Sequence, residues 1–235
     1  MGWKVVKRDL RKHRDAQKAV ILQRFFKSGR GEYGEGDVFL GVAVPVQRKV
    51  AREHWKSCSL RDVQVLLDSE VHEDRLTSLF ILTHIYNYNS NAGKEKIVRF
   101  YIRNARRVNN WDLVDSSAHK ILGAYLVDKG DRRALYNLVK SRNLWERRIS
   151  VIACFAFIAR GDFSDVLKIC RLLLDDKHDL IHKATGWALR EIGKKDLRVL
   201  KGFLDKYSDR MPRTMLRYSI ERLPAGERKK YLGQY

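Results

Sequence analysis

The stretch 144–163, LWERRISVIACFAFIARGDF, decides how the rest of the chain is read. Trp145, Ile149, Ile152, Ala153 and Ala156 recur at three- and four-residue steps, the period of a helix with one face in a core. The pattern returns 36 residues on, in LIHKATGWALREIGKKDL at 180–197. It also has an upstream counterpart: EDRLTSLFIL (73–82) resembles ERRISVIACF (146–155), with Glu73 over Glu146 and Arg75 over Arg148, a spacing of 73 residues. A period near 36 residues is that of HEAT-type helix pairs, in which each pair buries its apolar face against its neighbours.

Working outward, the same periodicity predicts helices at about 3–27 (with a break), 45–56, 59–68, 73–88, 93–107, 111–127, 131–141, 144–160, 163–174, 179–193, 196–206, 211–222 and 225–232. β-Branched alternation is nearly absent. The expected fold is all-α: an α-solenoid of HEAT-like helix pairs, a single domain over 1–235, with a concave basic binding groove. The Gly-rich segment SGRGEYGEGDVFLGVAVP (28–45) lacks the GK[ST] of a phosphate loop and reads as a connection closed by Pro45.

The chain has 48 Lys and Arg against 28 Asp and Glu, a formal charge of +20. The cations are spread along the sequence, so the expected partner is a polyanion held on a folded surface, nucleic acid before membrane. No apolar run approaches the length of a membrane span. Cys58, Cys154 and Cys170 show no pairing pattern and read as buried thiols in a reducing, cytoplasmic setting. The seven histidines form no ligand motif, so neither metal nor cofactor is expected.

Against that charge, NNWDLVD (109–115) stands out, with two acids beside a tryptophan. Asn110 suits an N-cap, and Asp112 in the first helical turn is favoured by the helix dipole and points away from the core. Asp115 lies at the edge of the apolar stripe Val114, Ala118, Ile121, Leu122 and Tyr125, one turn from Trp111. There it is either a cap or ion-pair residue or part of a reaction site. In helix 179–193 the core face is Ile181, Ala184, Thr185, Ala188 and Ile192. Trp187 falls off it between Lys183 and Arg190, which fits either a nucleic-acid contact or packing on the next repeat. Arg148 projects near the edge of its core face and needs a carboxylate or a phosphate. Arg213 and Arg217 follow Pro212, which opens its helix, one turn apart: a phosphate-binding spacing or a solvated basic face. Trp111, Asp115, Arg148 and Trp187 recur at about the repeat period and are expected to line one groove.

At these residues the chain resembles the AlkD-like family of HEAT-repeat DNA alkylation-repair glycosylases. The matching stretches are YGEGDVFLGVAVPVQRKVAREHW (33–55), NNWDLVDSSAHKILGAYL (109–126), NLWERRISVIA (143–153), HKATGWALREIGKKD (182–196) and MPRTMLRYSIERLP (211–224). The resemblance implies Trp111, Asp115 and Trp187 as catalytic and Arg148 and Arg190 as DNA contacts, to which the spacing adds Lys183, Arg213 and Arg217. It places the Gly-rich segment near the DNA face, with Ala43 where the family carries a polar residue. The implied activity is monofunctional release of cationic N3- or N7-alkylpurines from double-stranded DNA. The chain is expected to act as a monomer, nucleoid-associated in a prokaryote. Two other uses of the scaffold are a non-catalytic binder of bent or branched DNA and a protein-interaction solenoid. The last would lack the steep salt dependence of phosphate contacts.

Overall fold

The computed structural model describes residues 1–233, so the expected 1–235 domain ends two residues beyond the described part. The chain falls into two compact units, Met1–Ser117 and Ala118–Tyr235. The first holds α1 (Gly2–Arg11), α2 (Ala16–Phe25), α3 (Val44–His54), α4 (Leu60–Leu67), α5 (His72–Asn87), α6 (Asn91–Arg103) and α7 (Trp111–Ala118). The second begins with a π-helical segment, His119–Gly123, then α8 (Ala124–Leu126), α9 (Arg133–Val139), α10 (Leu144–Ala153) and α11 (Phe155–Ala159). It continues with α12 (Ser164–Leu172), α13 (Asp179–Lys195), α14 (Leu197–Tyr207), α15 (Arg213–Ser219) and α16 (Ala225–Leu232). Among the described residues there is no strand, only an isolated bridge pairing Val38 with Val71.

Helix starts follow local capping chemistry. Asp15, Ser59, Ser90, Asn143 and Asp196 each accept a hydrogen bond from a first-turn N–H, and Ser59 with Asp62 forms a reciprocal box. In the first unit, α5 is the central element. It packs on α3 and α4, and every residue from His72 to Leu82 is buried. In the second, α10 and α13 take that place, with α9 against α10 and α14 and α15 against α13.

Two expected helices are interrupted. The one over 144–160 is divided after Ala153 into α10 and α11, and that over 111–127 carries the π-helical segment. Gly123 closes the segment; a Cβ there would lie 2.1 Å from the Ala153 carbonyl oxygen, so the backbone of α10 approaches as only glycine allows. Pro212 caps α15 from outside rather than opening it.

The internal repeat is present, with its register shifted by one residue. Ser69 Oγ donates to Asp74 (2.8 Å) and Ser141 Oγ to Glu146 (2.5 Å). Each serine oxygen also accepts the N–H two residues on, from Val71 and Asn143. Arg75 Nη1 donates to the carbonyls of Ser69 and Glu70, as Arg147 Nη1 does to those of Ser141 and Arg142. Arg75 therefore matches Arg147, not Arg148, a spacing of two 36-residue periods. Residue identity misled the sequence alignment because two arginines stand side by side at 147–148.

Candidate nucleic-acid interface and reaction site

The first unit places Trp111 and Asp115 on α7. The Trp111 N–H donates to Asn110 Oδ1 (2.8 Å), and the buried Asn110 donates from Nδ2 to Asp37 Oδ2 (3.4 Å). The indole is half-buried. It stacks on Phe26 (centroids 5.2 Å apart, planes at 23°) and meets Phe25 edge-on. Phe26 in turn stacks on Phe39 (5.3 Å), and these rings line an apolar cavity of about 490 Å³ with Trp111 and Asp112 on its wall. Asp115 is half-buried beside the fully buried Val114 and Ala118, at the margin of the core face as its spacing predicts. The buried Tyr101 of α6 bonds Ser117 (2.9 Å); burial raises the Tyr101 hydroxyl above its ordinary pKa, and the Asp115 charge raises it further.

Asp112 does not point away. Its Oδ2 accepts from His72 Nε2 (2.8 Å), while His72 Nδ1 donates to Asp37 Oδ2 (2.9 Å). Arg75 closes the cluster through Asp37 Oδ1 (2.6 Å). A helical wheel for α7 alone cannot show this, because the partner is on α5. His72 is 2% exposed. Burial pulls its pKa down, but the Asp112 charge and the hydrogen bonds to Asp112 and Asp37 outweigh it and raise it to about 9. Burial pushes the Asp37 carboxyl up, and the bonds and charges of His72 and Arg75 hold it below its usual value. The adjoining Glu73 is 1% exposed and accepts the backbone N–H groups of Leu40, Gly41 and Val42 at 2.8 to 3.2 Å. That carboxylate anchors the end of the Gly-rich segment, just before Ala43, which precedes α3 with no side-chain cap.

Sequence reasoning missed this cluster. The signal was HEDR at 72–75 opening a helix apolar on all sides, LTSLFIL, which buries its first turn as well.

The second unit holds the remaining residues. Arg148 is 5% exposed and donates from Nη1 to the Leu180 carbonyl (2.5 Å), tying α10 to the first turn of α13. Trp187 is half-buried rather than open between two cations. It packs edge-on against Phe155 (4.5 Å) and donates from Nε1 to Glu191 (3.1 Å). Its neighbours have acidic partners: Lys183 pairs with Asp179 (2.7 Å), and Arg190 with Glu221. Arg213 donates to the Leu232 carbonyl (3.0 Å). The exposed Arg217 shares with Lys183 a cleft of about 440 Å³ between α13 and α15.

The three cysteines are free and buried. Among the described residues no helix is long and apolar enough to cross a membrane, and no group of three or more His, Cys, Asp or Glu is placed to hold a metal ion.

These features define an all-helical protein with a repeat near 36 residues and a strong positive charge. Residues 6–223 match the family described as DNA alkylation repair enzyme, and the chain belongs to that family. Its fold is that of a predicted DNA alkylation repair enzyme from Enterococcus faecalis, with TM-score 0.71 and 14% identity over 91% of this chain and 98% of that one. It is also that of AlkD2 from Streptococcus mutans, with TM-score 0.56 and 18% identity over 89% and 99% of the two chains. A protein from Streptococcus mutans UA159 is similar as well, with TM-score 0.53 and 17% identity over 93% and 96%. No curated protein matches the chain.

Proposed function

We propose that this protein is a monofunctional DNA glycosylase that hydrolyses the N-glycosidic bond of cationic N3- or N7-alkylpurines in duplex DNA. An alkylated purine already carries positive charge and leaves without protonation. The catalytic requirement falls on the deoxyribose, which becomes oxocarbenium-like as the bond breaks. Asp115 stabilises that cation and orients the water that attacks C1′. Trp111, one turn away on α7, and Trp187 on α13 offer indole faces to the sugar. Arg148, Arg190, Lys183, Arg213 and Arg217 are assigned to the DNA.

The observation that carries this reading is the placement of Asp115: a carboxylate half-buried at the margin of the core face of α7, one turn from a half-buried indole. Family membership supports the repair of alkylated DNA as the setting. The product of that hydrolysis is an abasic site in an unbroken strand.

The test is release of free base from duplex DNA containing N3-methyladenine or N7-methylguanine, with Asp115→Asn alongside. Release by the wild type and a loss of at least about 100-fold in the variant is expected. Tight, salt-sensitive duplex binding without release would refute the glycosylase and favour a non-catalytic DNA binder.

A further inference from the structure

We propose that His72, held between Asp37 and Asp112, is the positioning residue that fixes the first turn of α7 and thereby sets Trp111 and Asp115 for base release. The inference rests on the glycosylase reading for its final clause, and on geometry alone for the rest.

His72 reaches the start of α7 by three routes. Its Nε2 donates directly to Asp112. Its Nδ1 donates to Asp37, which also accepts from Asn110, the residue whose side chain caps the Trp111 N–H. Its ring lies against Phe26 (4.8 Å) and stacks on Phe39 (4.7 Å), and Phe26 stacks on the Trp111 indole. Trp111 is therefore held at its backbone by Asn110, which is linked to the imidazole through Asp37, and at its ring by Phe26, which touches the imidazole directly. Asp115 follows one helical turn later and moves with that turn.

The protonation of His72 is essential to the arrangement. The charged groups facing it are Asp37 from the loop, Asp112 from α7 and Arg75 from its own helix. Glu73, also on α5, has its carboxylate taken up by the three loop N–H groups, and Lys18 of α2 lines the same cavity. With His72 protonated, two carboxylates face two cations. A neutral imidazole has one N–H for two carboxylates, so one acid would face a nitrogen lone pair. Asp37 keeps Arg75 and Asn110, whereas among the described residues Asp112 keeps the Leu113 N–H of its own helix alone. The loss therefore falls on the α7 side, and the first turn is released.

The experiment compares wild type, His72→Gln and Asp112→Asn by single-turnover release of N3-methyladenine at saturating protein, from about pH 6 to about pH 10. That lesion's cation has no ring N–H to lose in this range. Duplex affinity is measured in parallel, together with the Trp111 indole NMR signal, assigned through Trp111→Phe. In wild type the release rate should fall at least about 10-fold through one ionisation near pH 9, with affinity changing less than about 3-fold. The Trp111 signal should follow the same ionisation. His72→Gln should be slow at neutral pH, show no ionisation near 9 and leave the Trp111 signal flat. In Asp112→Asn a neutral imidazole satisfies both neighbours, so the ionisation should move to lower pH. If His72→Gln does not fold, the wild-type and Asp112→Asn profiles carry the test.

Release by a folded His72→Gln within about 3-fold of wild type, or a Trp111 signal indifferent to His72, overturns the proposal and leaves the glycosylase standing. Wild type that releases no base at any pH refutes the glycosylase and with it the final clause; the Trp111 signal then decides whether His72 fixes α7.

Discussion

Replacing Glu73 by alanine should unfasten the segment that leads into α3. The Glu73 carboxylate receives three backbone N–H groups, from Leu40, Gly41 and Val42, and is 1% exposed. The segment has little freedom to find other partners. Gly41 holds φ at +79°, and a Cβ there would lie 2.1 Å from the Asp15 carbonyl oxygen; the Leu40 carbonyl accepts the Asp15 N–H at 2.8 Å. Each buried N–H left unpaired costs about 1–3 kcal/mol. Leu40 is half-buried and a cavity adjoins Gly41 and Val42, so the lower half of that range applies, about 3–6 kcal/mol in all. For a chain of this length that is a fall of roughly 10 °C in Tm. Glu73→Gln keeps one acceptor oxygen, loses the charge and should cost about 2 kcal/mol. Urea unfolding followed by far-ultraviolet circular dichroism measures both. Losses below about 1 kcal/mol in Glu73→Ala would refute the assignment of this carboxylate as the anchor of residues 40–42.

Two further outcomes are expected. The His72 pKa is raised from 6.5 in the unfolded chain to about 9 in the folded one, so its contribution is fully present below about pH 6.5 and is lost as pH rises through 9. Its size is on the order of 3 kcal/mol; unfolding free energies between pH 6 and 10 check it, and His72→Gln should remove that slope. Gly123→Ala drives a methyl group into the Ala153 carbonyl and should destabilise the second unit by about 1–3 kcal/mol, read by denaturant unfolding, whereas Gly202→Ala, where a Cβ meets nothing within 4 Å, should not destabilise.

The all-helical fold and most helix positions were legible in the sequence, because an apolar stripe at helical spacing is a local signal. The face predicted for α13 is buried from Ile181 to Ile192, and Asp115 sits at the margin of its stripe as spacing required. What escaped was non-local. The division of 144–160 and the π-helical segment meet where α10 closely approaches Gly123, a contact that no window of sequence reports. The cations around Trp187 looked available because Asp179 and Glu221 were not weighed as their partners; Glu221 comes from 31 residues away. The register of the repeat was misjudged because hydrogen-bond roles, not residue names, define equivalence.

The two acids of α7 illustrate the same limit. Spacing placed Asp115 on the core margin, where it sits, but turned Asp112 away from the core and gave it a role in the helix dipole alone. Asp112 in fact completes a cluster of two carboxylates and two cations, and that balance answers how a chain of charge +20 tolerates an acid there. Paired with a buried imidazolium at 2.8 Å, Asp112 presents a dipole rather than a charge to its surroundings, and a dipole's field falls off faster with distance than a charge's. A polyanion near α7 is therefore repelled weakly by Asp112. If His72 loses its proton, the cluster acquires a net negative charge beside the first turn of α7, so rising pH weakens the hold on Trp111 and adds repulsion toward phosphate through the same group.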